Sequence, residues 1–469
     1  MAAFEVINRP YAMSSLKLKN FRGFESLELQ FDRNLNVFVS SNGGGKSALL
    51  SAISIALSYF VQQLGGQAQA LPIEKSDVRL QKSPDDAMVF MAPTEIEATA
   101  FFSNELYSWN TLRKTFAPKT KTTHTKTKNV SEAAQRLCDE IKSYAVRGIE
   151  HGRDINFPPA LPLIAFYGTG RLWAEHRKTR KKDEKAKNLS EQFGAYLDCL
   201  TPASNFFQFE TWFEHVNLQG VQELQMGLSS NYKANELIEV IRTAVDFVLA
   251  PTEWKNIHWN FIEGCVVAEH PMQGILSVRL LSDGIQNLIA LVADLAHRAA
   301  RLNPHFRFGA AQMTPGIVLI DEVDMHLHPS WQQRVIELLQ KAFPLVQFIV
   351  STHSHLVAAT VPQDSIRIIT TSGSVTLLDI QTEGCESEFV LSQIFGVNSA
   401  PPVYFADLIK KYENQIQTKS EDPKIYSELL DHFGENHYIL LKINSQIRVR
   451  DMKFRLGNRT SDIQNEKNR

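Results

Sequence analysis

One stretch near the N-terminus restricts the fold most: an apolar strand, a glycine-rich loop and a helix in direct succession. The predicted strand runs from Asn34 to Val39, and the predicted helix runs from Ser47 to Leu57. In this context consecutive backbone N–H groups and the helix N-terminus surround a phosphate. The loop therefore predicts a nucleotide site, with Lys46 on the β- and γ-phosphates and the Ser47 hydroxyl on Mg²⁺. The nucleotide-binding residues predicted from this loop are Asn42, Gly43, Gly44, Gly45, Lys46 and Ser47.

Two further motifs follow predicted buried strands. Asp321 and Glu322 end an apolar strand that begins at Gly316, and His353 lies just after a second strand, Val346 to Val350. Asp321 suits Mg²⁺ coordination, and Glu322 suits a general base that polarises the attacking water. His353 suits contact with the γ-phosphate. Either motif alone is common in buried strands, but after a phosphate-binding loop they predict an ATPase site that uses ATP and Mg²⁺.

A fourth motif, Leu281-Ser282-Asp283-Gly284, opens a predicted helix. Its hydroxyl and N–H groups could hold a γ-phosphate, or Ser282 could simply cap the helix. Because the chain already has one phosphate-binding loop, we interpret Ser282 and Gly284 as groups that serve a neighbouring subunit's nucleotide. This interpretation predicts a homodimer or higher oligomer with shared ATP sites.

These four motifs, in this order, resemble the ATP-binding cassette heads of the SMC and RecF type. The stretch from Asn20 to Phe24 is similar to their N-terminal strand signature, which implies that Arg22 lies near the nucleotide. Asp324 falls where those proteins have a D-loop across the dimer interface. The resemblance implies an α/β fold: a mixed-sheet lobe with the phosphate loop and a signature lobe, with a helical insertion and a C-terminal helical tail.

The same resemblance divides the chain into four segments. Residues 1–173 are expected to form the N-terminal ATPase lobe, and 174–255 a helical insertion. Residues 256–400 are expected to carry the fourth motif, Leu281 to Gly284, which is the signature of this resemblance, together with the paired acids and His353. Residues 401–469 are expected to form a tail that docks a partner.

A narrower resemblance rests on two stretches, Asp321 to Gln332 and Phe166 to Trp173. Both are similar to the ATPase subunits of Septu-type anti-phage systems, which implies a nucleotide-sensing role and an HNH-nuclease partner. The residues after His353 contain no DxD pair, so the chain is not expected to be a nuclease itself. The alternatives are a RecF-like DNA-repair ATPase that acts without a nuclease, and a degenerate cassette that serves only as a scaffold.

The sequence departs from the family pattern at two places. Ser40 stands where the loop usually begins with glycine, and glycine's backbone freedom is lost there. The region expected to hold a Q-loop glutamine contains Asp77-Val78-Arg79 instead. The motifs therefore predict ATP binding, whereas they leave open whether ATP is hydrolysed or only sensed.

Composition limits the other partners. The net charge of −2 excludes a polyelectrolyte binder, so DNA contact would need a local patch. The densest basic run is a candidate for DNA or a solvated loop; it contains Arg177, Lys178, Arg180, Lys181 and Lys182.

The remaining composition points to the cytoplasm. The four cysteines form no CxxC pair, and no apolar run reaches membrane-spanning length, which together predict a cytoplasmic protein without membrane contact. His326 and His328, near Asp324, could hold a metal or lie at the interface that the resemblance implies, and we favour the interface.

Overall fold

The computed structural model describes residues 9–40, 43–64, 69–125, 128–150, 158–169, 192–201, 206–226, 233–370, 373–396 and 403–467. The chain divides into two compact units, Met1–Val390 and Leu391–Arg469. None of the helices in these ranges is both long and apolar enough to cross a membrane.

The strands and helices are numbered along the chain. The strands are β1 Ala12–Phe21, β2 Phe24–Gln30, β3 Leu35–Val39, β4 Leu80–Lys82, β5 Met88–Phe90, β6 Thr94–Phe102, β7 Glu105–Arg113, β8 Thr123–Thr125, β9 Leu163–Tyr167, β10 Lys255–Asn260, β11 Cys265–His270, β12 Gly274–Ser277, β13 Gly316–Ile320, β14 Val346–Thr352, β15 Ile366–Ile369 and β16 Val375–Leu377. The helices are α1 Lys46–Gln63, α2 Lys128–Glu150, α3 Phe206–Gln225, α4 Lys233–Leu249, α5 Asp283–Leu302, α6 Ala310–Met313, α7 Pro329–Gln332, α8 Val335–Ala342, α9 His355–Ala358, α10 Ser387–Phe395, α11 Tyr404–Thr418, α12 Pro423–Phe433 and α13 Tyr438–Lys467.

A six-stranded sheet forms the centre of the first unit, in the order β16-β15-β3-β14-β13-β9. All pairs are parallel except β15–β16, which is antiparallel. Every residue of β3, β9, β13 and β14 is buried, which explains why these strands are mostly apolar. Because Thr352 pairs with Val39 and Ile320 pairs with Val350, the carboxyl ends of β3, β14 and β13 lie at the same edge. The α/β fold class is confirmed.

A second sheet is antiparallel, in the order β2-β1-β6-β7-β8. Helix α1 contacts β1 and β6 of this sheet and also β13 and β14 of the central sheet. Because it is covered on both sides, 13 of its 18 residues are buried. A helix that contacts both sheets is apolar on most of its surface rather than along one stripe, as the sequence from Ser47 onward shows. Within this sheet β6 and β7 are antiparallel neighbours, with Thr94 paired to Arg113 and Phe102 paired to Glu105.

The third sheet is antiparallel, in the order β10-β11-β12. Its last strand ends at Ser277 and is followed by a 3₁₀ turn, Val278–Leu280. Helices α3 and α4 contact each other and α5, and α4 also contacts β10. The division of the first unit into lobes and an insertion stays a prediction.

The segment from Pro329 to Ala342 is not one continuous helix. It forms the short α7 and then α8, with Arg334 between them at φ −124°, ψ −19°, outside helical geometry. His328 caps the N-terminal end of α7, because its Nδ1 accepts a hydrogen bond from the backbone N–H of Ser330 at 3.3 Å.

The second unit contains α11, α12 and α13, which pack on one another around a small apolar core. Its buried members are Leu408, Tyr412, Ile416, Ile425, Leu429, Leu440 and Ile443. The helical character expected for the tail is confirmed.

A buried polar network joins α5 to the central sheet. The Tyr167 hydroxyl donates to Asp294 Oδ2 at 2.7 Å, and Arg298 Nε donates to the same oxygen at 2.8 Å. Burial would raise the pKa of Asp294, but the charge of Arg298 beside it holds that pKa below its ordinary value. The network fixes the helix that begins at the signature motif against β9, the strand next to β13.

Gly316 lies where β13 and β9 approach closely. A Cβ at this position would lie 2.0 Å from the carbonyl oxygen of Leu163, a backbone atom of the paired strand. We expect Gly316→Ala to force the strands apart and to lower the free energy of unfolding by about 3 kcal/mol or more, measured by urea denaturation. Gly23→Ala is the control, since a Cβ there meets nothing within 4 Å and should cost less than about 0.5 kcal/mol. Equal stabilities of the two variants would contradict this packing.

His297 makes folding stability sensitive to acid. Its ring stacks on Trp212 at 3.7 Å, and neither ring nitrogen has a hydrogen-bond partner among the described residues. Burial lowers its pKa to about 3, with Asp294 opposing that shift and Arg301 and Arg298 adding to it. The unfolded chain takes up a proton below about pH 6.5 that the folded chain does not, so stability falls as the pH drops from there towards 3.

The matching variant is His297→Phe, which keeps an aromatic ring but cannot titrate. Between pH 7 and pH 5, the free energy of unfolding should fall by about 2 kcal/mol less in this variant than in the wild type. His215→Phe, at an exposed position of α3, should keep the wild-type pH dependence. Parallel pH profiles for wild type and His297→Phe would contradict the burial of a neutral imidazole.

Candidate functional site

The phosphate-loop lysine is buried at the carboxyl edge of the central sheet. Strand β3 ends at Val39, Ser40 follows, and Lys46 is the first residue of α1. The Lys46 ammonium donates to the carbonyl oxygen of Ser40 at 3.2 Å and to its Oγ at 2.9 Å. Burial lowers the pKa of Lys46, while the carboxylates of Asp321, Glu322 and Asp324 act in the opposite direction. The predicted loop and the predicted acids therefore share one electrostatic site.

Glycine is required at only part of the loop. Gly43 and Gly45 have φ of 78° and 94°, in the left-handed region. A Cβ on Gly45 would also lie 2.8 Å from the ring of Phe24. Ser40, by contrast, does not have a positive φ, so its backbone conformation does not need glycine. The concern that serine costs the loop its conformation does not apply at this position.

Side chains of β14 hold the acids at the end of β13. The Ser351 hydroxyl donates to Asp321 Oδ1 at 2.5 Å and accepts the backbone N–H of Glu322 at 2.8 Å. The Thr352 hydroxyl donates to Asp324 Oδ1 at 2.5 Å. These contacts fix both the first acid and the backbone of the second, which turns at φ 48°. The motif predicts a role for His353, whereas the roles of Ser351 and Thr352 depend on these contacts in the folded sheet.

His353 follows directly and is exposed at the same edge. The next residue, Ser354, caps α9 and donates to Gln332 Oε1 at 2.7 Å, which ties the end of β14 to α7. His353 is therefore available to a ligand at the place where the sequence predicted it.

The residues suited to Mg²⁺ are Ser47 and Asp321. Ser47 is exposed in the first turn of α1, and Asp321 is buried under the Ser351 hydroxyl. A hydroxyl and a carboxylate are hard oxygen donors, the ligand type that Mg²⁺ prefers, so the donor set fits this ion. The alternative metal site at His326 and His328 is not supported, because no group of His, Cys, Asp and Glu suited to a metal occurs among the described residues.

The signature motif begins α5 as predicted. Ser282 occupies the N-cap position and is exposed, but its side chain makes no capping hydrogen bond. Gly284 is buried, and a Cβ there would lie 2.5 Å from the carbonyl oxygen of His326. The motif therefore packs against the segment that follows Asp324, and it presents the Ser282 hydroxyl to solvent.

Arg22 is held by Asp77, an acid to which the sequence motifs assign no role. Its Nε donates to Asp77 Oδ1 at 2.9 Å, and its Nη2 lies 2.9 Å from the same oxygen. The backbone N–H of Arg22 donates to the carbonyl of Asp77 at 2.8 Å, and Nη1 reaches Ser51 Oγ in α1 at 3.4 Å. The segment that lacks a Q-loop glutamine thus fixes Arg22 beside α1, one helical turn beyond Ser47.

Some predicted residues lie outside the described part of the chain. These are Asn42 of the loop and the basic run with Arg177, Lys178, Arg180, Lys181 and Lys182.

Comparisons with known proteins find two family matches along the chain. The AAA domain family matches residues 15–225, and the family described as "AAA domain, putative AbiEii toxin, Type IV TA system" matches residues 228–359. The first match spans the phosphate loop and the second spans the signature, the acids and His353. An AAA domain implies ATP binding.

Similar proteins align with nearly the whole chain. "Retron Ec83 probable ATPase" from Escherichia coli is 26% identical, covering 93% of this chain and 87% of the relative. "Septu protein PtuA" from Bacillus thuringiensis is 23% identical, covering 87% of this chain and 90% of the relative. A solved SMC head bound to the C-winged helix domain of ScpA is 16% identical with a TM-score of 0.46, covering 79% of this chain and 98% of that one.

The likeness to a Septu protein was expected, and the likeness to a retron ATPase was not. The chain is therefore similar to AAA domains in two successive segments, and to a retron probable ATPase and a Septu protein along most of its length.

Proposed function

We propose that this protein is the ATP-sensing subunit of an anti-phage defence complex and controls a nuclease that lies on another chain. The observation that carries the proposal is the buried Lys46 ammonium, at the edge where Asp321, Glu322 and Asp324 act on its charge. The retron and Septu relatives supply the biological setting.

The chain's own groups would divide the work on ATP. The loop N–H groups and Lys46 bind the β- and γ-phosphates, and Arg22 adds positive charge from the side of Asp77. Ser47 and Asp321 would hold Mg²⁺, which when bound neutralises charge on the phosphate oxygens. Glu322 orients and deprotonates the attacking water, and the Ser351 hydroxyl fixes its backbone for that task. His353 supports the γ-phosphate from the end of β14.

A second subunit would complete the site. The Ser282 hydroxyl is exposed and does not cap α5, so it is available to the phosphate of a neighbouring subunit, and Gly284 lets the motif pack closely against His326. Asp324, held by Thr352, lies in the segment expected at that interface. These features support a homodimer with shared ATP sites.

The tail is the proposed dock for an HNH-nuclease subunit. It forms its own compact unit with its own core, and it exposes large apolar side chains. The most exposed of them are Tyr404, Tyr438, Leu441 and Met452. We also propose that the basic run Arg177 to Lys182 contacts DNA.

The test is co-expression with the neighbouring genes, followed by phage challenge. Lys46→Ala should abolish ATP binding and phage protection while the nuclease still co-purifies. Glu322→Gln should keep ATP binding and lower hydrolysis at least about 100-fold. Lys17→Ala is the matched control, because Lys17 is an exposed lysine paired with Glu28 at 3.1 Å, away from the site.

Two results would contradict the proposal. A chain that co-purifies with no nuclease, and whose Lys46→Ala variant protects as well as wild type, is not such a subunit. DNA-stimulated hydrolysis without any nuclease partner would instead favour the RecF-like alternative.

Ser351 should affect turnover more than binding. Ser351→Ala removes one bond to Asp321 and one to the backbone of Glu322, so we expect kcat for ATP to fall about 10- to 100-fold with the ATP Kd changed less than about twofold. Ser58→Ala is the matched control: this buried serine also donates one bond, to Ile55, and accepts one, from Leu71. Equal kcat values for the two variants would show that the Ser351 contacts are only structural.

A further inference from the structure

We propose that the Ser40 hydroxyl is a built-in ligand of the Lys46 ammonium that competes with the nucleotide phosphates. It thereby raises the ATP concentration at which the site fills. The inference rests on the proposed function and deepens it, because it assigns the unusual first residue of the loop a role in setting the sensing threshold.

Ser40 supplies two acceptors to one buried cation. The carbonyl oxygen lies 3.2 Å from Lys46 Nζ and the hydroxyl oxygen lies 2.9 Å from it. Both residues are almost fully buried, with 5% of Ser40 and 6% of Lys46 exposed. An ammonium has three N–H donors, so these two bonds leave one for a phosphate.

The hydroxyl is the part of this arrangement that depends on serine. Any residue at position 40 would keep the carbonyl bond, whereas glycine or alanine would lack the hydroxyl. The backbone at position 40 does not require glycine, because Ser40 does not have a positive φ. A serine is therefore tolerated here, and its hydroxyl adds a contact to Lys46 that the usual glycine cannot make.

Binding of a triphosphate must disturb that contact. Charged phosphate oxygens form stronger hydrogen bonds with an ammonium than a neutral hydroxyl does. When Lys46 turns a second N–H from Ser40 Oγ to these oxygens, the bond between the ammonium and the hydroxyl is broken, and breaking it costs free energy. The net effect is weaker binding than the same loop would give without the hydroxyl.

The effect is specific to nucleotides that reach Lys46. This residue is expected to contact the β- and γ-phosphates, so Ser40 should weaken ATP and ADP binding and leave AMP unaffected. With a raised Kd, the occupied fraction of sites changes when the ATP concentration falls moderately. A sensor requires this response, whereas a site with a low Kd stays saturated.

The experiment is isothermal titration of the full-length protein with Mg²⁺-ATP, Mg²⁺-ADP and AMP. We expect Ser40→Ala to lower the Kd for ATP and ADP about 5- to 30-fold, with AMP unchanged. Ser40→Gly should behave in the same way and provides a second variant if alanine disturbs folding. Ser40→Thr keeps a hydroxyl and should stay within about twofold of wild type.

The matched control is Ser54→Ala, in the same helix as Lys46. Ser54 is buried and its hydroxyl donates to the carbonyl of Ser51 at 2.8 Å, with no contact to Lys46. Its ATP Kd should equal that of wild type.

Each outcome decides the question. If wild type binds ATP and both hydroxyl-free variants bind it equally or more weakly, Ser40 does not compete and the inference is overturned. If neither wild type nor these variants bind ATP, the ATP-binding proposal fails and takes this inference with it. If the wild type binds ATP and Lys46→Ala does not, the proposed function is supported independently of the Ser40 variants.

Discussion

The parallel pairing of β3, β14 and β13 is the constraint on which the rest of the site depends. It sets Val39, Thr352 and Ile320 at one edge of the central sheet, so the loop after β3 meets the acids after β13. A slip of one residue between β13 and β14 would turn every side chain of the shifted strand to the other face and separate Ser351 from Asp321. Burial of these strands by α1 and the second sheet makes such a slip costly, because every residue in them is apolar or bonded in the core.

That edge concentrates charge in a poorly solvated place. One ammonium, Lys46, lies near three carboxylates, and serine and threonine hydroxyls fix two of those acids. Such an arrangement is expensive to build for stability alone, since buried charges must be compensated by bonds of good geometry. It is useful to a site that must receive the negative charge of a triphosphate and then respond to its loss.

Much of this edge could be predicted from the sequence, because each motif follows an apolar strand and carries its own local signal. The contacts that fix the motifs could not be predicted, because they join distant positions. Ser351 meets Asp321 and Asp77 meets Arg22 only through the folded sheets. Strands β10 and β11 have six residues each and depend on pairing with each other, so neither carries a strong signal in its own sequence. From the sequence, Ser40 predicts a loss of backbone freedom in the loop, whereas in the structure its hydroxyl accepts a hydrogen bond from Lys46.

The most direct test of the central claim is a structure of the protein with a non-hydrolysable ATP analogue and Mg²⁺. The account predicts that the β- and γ-phosphates lie against Lys46 of one subunit and within reach of Ser282 of a second copy. A nucleotide bound away from Lys46, or one enclosed completely by a single chain with Ser282 still in solvent, would contradict it.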